Sequence, residues 1–74
     1  MQHEERETNI NSLVRAMKED LKSETKARIV KNPYKPYNDN VILDLMGRFA
    51  IQRRTAKEWL ISAQIRLVGE AKEQ

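Results

Sequence analysis

The chain has no cysteine and a single histidine, His3, in 74 residues. Disulfides and thiolate metal sites are therefore excluded. His3 has no second histidine with which to hold a metal, and no partner for a catalytic triad. No metal and no cofactor are expected. The two glycines, Gly47 and Gly69, lie far apart and cannot build a glycine-rich phosphate loop. No apolar run is longer than Val41 to Leu43, so no membrane span is expected. Glu4, Glu5 and Glu7 stand where an export signal would carry its apolar core, so no export signal is expected. Together with the missing cysteines this fits a cytoplasmic protein. No nucleophile–base pair is readable, and the acidic residues sit in mixed-charge helical patterns, so no enzymatic role is expected.

What remains is a length for one small domain, whose core is marginal without a staple or a second chain. Self-association follows as an expectation. Fourteen basic residues against eleven acidic ones give a net charge of +3. That mild excess favours a polyanionic partner only weakly, so the placement of the charges has to decide. No internal repeat or low-complexity segment is present.

Residues 1–7 are polar and charged, which predicts a disordered or frayed start. Thr8 or Asn9 can cap the helix that follows, where Ile10, Leu13, Val14, Met17 and Leu21 recur at helical spacing. The stripe then loses phase at Glu24, Thr25 and Arg28. Either the helix breaks near Ser23, which can cap a new one, or it continues with its apolar face rotated. Lys31 to Tyr37 holds both prolines and both tyrosines and reads as a loop. Lys35 and Tyr37 could touch phosphates there; the alternative is that Tyr34 and Tyr37 cover the core. Asn38-Asp39-Asn40 is a strong helix start, with Tyr37 and Ile42 placed as a hydrophobic staple. The short helix that follows carries Ile42, Leu45, Met46 and Phe49 on one face, and Gly47 would allow a close helix approach. A last helix begins near Gln52 or Arg53 and should stop at Gly69, leaving residues 70–74 as a frayed tail.

The stretch Phe49-Ala50-Ile51-Gln52-Arg53-Arg54-Thr55-Ala56, followed by Glu58-Trp59-Leu60, resembles the helix-turn-helix family of DNA-binding domains over about residues 41–63. Phe49 closes the first helix, Ala50 sits at the turn, Ile51 plugs the core, and the second helix would enter the major groove. Ala50 stands where the family usually has glycine, and Gln52 where it usually has a capping serine. The resemblance implies an all-α domain of three to four helices spanning residues 8–69, and no wing is expected, because the residues after the motif look helical and are too few for a hairpin. It also implies a regulator that binds double-stranded DNA in the cytoplasm or nucleoid.

The helical projection carries the reading further. At about 100° per residue, Ala56, Trp59, Leu60, Ala63 and Leu67 share one face that should meet the core. Gln52, Arg53, Arg54, Thr55 and Lys57 lie at the helix start, where basic residues oppose the helix dipole and phosphate or base contacts are open to them. Ile61, Ile65 and Val68 form a second apolar stripe, which predicts a homodimer through the last helix. The alternative is that the first helix covers this stripe and makes a compact four-helix domain. A helical protein-interaction module that uses the same stripe and does not bind DNA is the competing function. No small-molecule ligand is expected.

Overall fold

The computed structural model describes the backbone of residues 3–73 and the side chains of residues 4–70. Among the described residues there are four helices and no strand: α1 (His3–Asp20), α2 (Ser23–Lys31), α3 (Asp39–Phe49) and α4 (Arg53–Glu73). The all-helical expectation holds. At backbone contact distance α1, α2 and α3 each pack on α4 and not on one another. The radius of gyration is 11.8 Å. A compact chain of this length is expected near 11 Å (roughly), so the hub arrangement wastes little volume.

Helix α4 can serve as the hub because its apolar arc is wide. Ala56, Trp59, Leu60, Ala63, Leu67 and Val68 are all buried. The arc meets Ile10, Val14 and Met17 of α1, Ile29 of α2, and Ile42 and Leu45 of α3 in one cluster. Trp59 is fully buried and meets Phe49 edge-on, at 5.4 Å between ring centroids and 63° between planes. Its indole N–H finds no hydrogen-bond acceptor among the described residues. Burial of so large a ring outweighs one unmet donor.

Several local expectations are corrected. Helix α1 begins at His3, so residues 3–7 are helical and not frayed. Glu4 and Glu5 suit the positive end of the helix, and Glu7 is held by Arg66 of α4. Thr8 is no cap; its Oγ1 donates to the Glu4 carbonyl one turn back, at 2.9 Å. Met1, Gln2 and Gln74 lie outside the described residues. The chain does break before Ser23, but Ser23 is the first residue of α2. Lys22 takes the cap position with extended backbone and no side-chain bond. The end of α1 is met from outside, by Lys26 Nζ donating to the Lys18 carbonyl at 2.8 Å.

Gly69 does not stop α4, which runs on to Glu73. Leu67 and Val68 are buried just before it, and Glu70 pairs with Lys18 just after, so both sides are tied to the domain. Nothing lies within 4 Å of a Cβ built on Gly47, so no helix approaches closely there.

Helix α3 starts as read. The Asn38 side chain accepts from the Asn40 N–H at 2.9 Å, and Ile42 is buried while Tyr37 packs on the core. The helix ends in Ala50, the one non-glycine residue with positive φ among those described, at φ 52° and ψ 44°. That left-handed conformation turns the chain within three residues, Ala50 to Gln52, and sends it into α4. It costs an L-residue about 1–2 kcal/mol, which glycine avoids while losing about 0.5–1 kcal/mol through its freer unfolded chain. Ala50→Gly should therefore raise stability by about 0.5–1 kcal/mol in urea unfolding, and Ala50→Val should lower it. A less stable glycine variant would rule out the left-handed turn.

Candidate nucleic-acid interface

The start of α4 projects past the core. Gln52, Arg53, Arg54, Lys57 and Glu58 are exposed, while Ala56 and Trp59 anchor the same stretch underneath. The Gln52 carbonyl accepts the Ala56 N–H at 2.9 Å, so Gln52 precedes the first helical turn. No acidic residue occupies that turn. Cations at the positive end of a helix are unfavourable by about 0.3–1 kcal/mol each, so the local physics argues for carboxylates where this chain has arginines.

These side chains do not share one face. At about 100° per residue, Arg53 and Lys57 lie close in angle, and Arg54 is turned well away from Arg53. Arg53 and Lys57 line an open groove of about 350 Å³ together with Lys35, Pro36 and Tyr37 of the loop and Asn38, Asp39 and Ile42 of the α3 start. Lys35, Arg53 and Lys57 make no ion pair among the described residues, so three cations face one carboxylate, Asp39, across this groove. Arg54 instead approaches Glu58 at 3.9 Å. The arginine side chain is 90% exposed, so the pair is worth a few tenths of a kcal/mol (about 0.3–0.5) and does not hold it. Thr55 is half-buried and does not line the groove.

The loop stands where it does because of a residue that sequence reasoning passes over. Gln64 is fully buried on α4 and spends its amide on the loop backbone. Its Oε1 accepts from Tyr37 N–H at 3.0 Å, and its Nε2 donates to the carbonyls of Pro33 at 3.0 Å and Lys35 at 2.8 Å. One side chain thus satisfies three backbone groups that proline-rich chain cannot pair within itself. The only signal in the sequence is a polar residue inside the apolar arc of α4, between Ala63 and Leu67.

Tyr37 is half-buried against the core, with its backbone held by Gln64, so its first role is to anchor the groove wall. Tyr34 does not cover the core; it is 71% exposed. Burial, and then the charge of Asp20, push the Tyr37 hydroxyl above its usual 10.0. The phenol therefore adds stability that is whole below about pH 10 and is lost as pH climbs through the raised folded value. Tyr37→Phe should lose less stability than the parent on going from about pH 9 to 11. Identical losses in paired urea titrations would remove the burial argument.

The predicted dimer stripe does not survive intact. Val68 is buried in the core at 7% exposure, where α1 covers α4, so it cannot face a second chain. Ile61 is half-buried and Ile65 is 43% exposed. The alternative, that the first helix covers the stripe, describes Val68 alone of the three.

Comparison of the chain with protein-family models, with curated proteins and with solved structures finds no match.

Proposed function

We propose that this domain binds double-stranded DNA, with α3, the Ala50–Gln52 turn and α4 acting as a helix-turn-helix. The first turn of α4 enters the major groove, where Arg53, Arg54 and Lys57 reach phosphates or guanine edges. Gln52 and Thr55 stand beside them as readers of base or phosphate, and Lys35 takes a flanking phosphate. A regulator that works by occupying its site is the simplest consequence of such binding.

The observation that carries this reading is the free charge around the groove. Lys35, Arg53 and Lys57 converge from two elements with no ion pair among the described residues, and Arg53 sits in the first turn of α4, where the helix dipole disfavours it. A fold that gains nothing from cations at that spot has another use for them. The homodimer is retained in a reduced form, through Ile65 and Ile61 alone, and DNA contact by one chain does not depend on it. The competing adaptor role keeps Ile61 and Ile65 of its stripe, and Val30 and Leu43 are further large apolar side chains left exposed among the described residues. Titration of a mixed-sequence duplex at rising salt separates the two. Binding that weakens steeply with salt supports the DNA reading; no salt-dependent binding leaves the adaptor.

A further inference from the structure

A second cleft adjoins the groove on the far side of the loop. Arg28, Ile29 and Asn32 from the end of α2 line it with Lys35, Pro36 and Tyr37, enclosing about 270 Å³. Lys35, Pro36 and Tyr37 are common to both concavities, so the loop is a shared wall. Arg28, like Lys35, makes no ion pair among the described residues. The Asn32 Oδ1 accepts from Tyr34 N–H at 3.3 Å, which leaves its NH2 as the donor end. Among the described residues no carboxylate lines the cleft. Asp20, whose charge acts on Tyr37, belongs to the end of α1 outside it.

The dipole of α2 explains part of this. Arg28 and Lys31 lie in its last turn, where cations are favourable. It does not explain why a loop lysine and an asparagine amide line the same concavity, nor why that concavity abuts the groove at α4. We infer that the cleft formed by Arg28, Asn32 and Lys35 is a backbone-phosphate seat that extends the DNA footprint from α4 across the loop to α2. It rests on the DNA-binding reading and adds a contact region to it. The phosphate is assigned to the duplex held at α4 because the cleft and the groove share Lys35, Pro36 and Tyr37.

The test is the salt dependence of binding to a mixed-sequence duplex of about thirty base pairs, for the parent, Arg28→Ala, Arg28→Lys and Arg15→Ala. Arg15 is an exposed α1 cation that lines neither concavity. Losing one phosphate contact should flatten the log–log slope by about 0.9 and weaken binding about fivefold to tenfold near 0.1 M salt. That result is expected for Arg28→Ala; Arg28→Lys should keep the parent slope, and Arg15→Ala should change it little. An Arg28→Ala slope equal to the parent's overturns the inference and leaves DNA binding at α4 standing. Equal losses in the Arg28 and Arg15 alanine variants overturn it too, because a diffuse field would then account for both. Inorganic phosphate, titrated without DNA, gives a third arm. Saturable binding that Arg28→Ala removes while the duplex slope is unchanged would make the cleft a free-anion site and overturn the footprint. A parent that binds no duplex removes the reading at α4 together with this one, and that outcome is visible before any variant is made.

Discussion

Replacing Arg53, Arg54 and Lys57 together by alanine is expected to weaken duplex binding about a hundredfold to a thousandfold, with the domain still folded. The first half follows from charge. Each phosphate contact contributes nearly one unit of salt slope, and an arginine paired to a guanine edge adds about 1–3 kcal/mol of discrimination. The second half follows from what these residues lack. All three are exposed, and among the described residues Arg54 alone of them has an ion pair, with Glu58. Losing that pair costs a few tenths of a kcal/mol (about 0.3–0.5), and removing cations from the positive end of α4 returns a similar amount. Circular dichroism and urea midpoint should therefore stay near the parent's while affinity collapses. Unchanged affinity would place any DNA contact elsewhere on the surface.

Gln64→Leu should be the opposite kind of variant, touching no DNA yet weakening both fold and binding. It removes an acceptor from Tyr37 N–H and donors from the Pro33 and Lys35 carbonyls. Each group left unpaired in a partly buried setting costs about 1–3 kcal/mol, less where water can enter, so about 3 kcal/mol in all is expected. For a domain this small that corresponds to a fall of about 12–24 °C in Tm. Duplex affinity measured well below that Tm should still drop several-fold, because Lys35 loses the anchor that sets it beside Arg53 and Lys57. Gln64→Glu can accept from Tyr37 N–H but, while ionised, cannot donate to the two carbonyls. It should be more stable near pH 4 than near pH 7, since burial raises its folded pKa and the stability of the protonated form is lost as pH rises. If Gln64→Leu melts with the parent, the loop is not held by this amide.

How much of this can be read from residue order depends on how far apart the partners are. Ile10, Val14 and Met17 repeat at helical spacing, and they are the buried face of α1. Asn38 caps α3 two residues ahead of the N–H it accepts, so the cap is legible from three adjacent residues. Ala56, Trp59, Leu60, Ala63 and Leu67 are buried as their angular grouping requires. The features that mislead are those held by distant chain. Residues 3–7 are helical and tied down where Arg66 reaches Glu7, and Arg66 also bonds Asn11 at 2.8 Å; neither partner is near it in sequence. Val68 projects as exposed because the projection of α4 alone does not say that α1 lies across it. Gln64 reads as an interruption of an apolar face, since its partners are loop backbone groups 27 to 31 residues earlier. At the candidate site the cations are legible one by one. Their grouping is not: Lys35 joins Arg53 and Lys57 around a groove, while Arg54 turns toward Glu58.

The decisive measurement is titration of the unmodified domain with duplex DNA across a range of salt. Cations meeting phosphates at the head of α4 and at Lys35 predict a log K against log salt slope at least as steep as about −3 per chain. A slope near zero, or no complex at low salt, would mean that the head of α4 is not a DNA-binding surface.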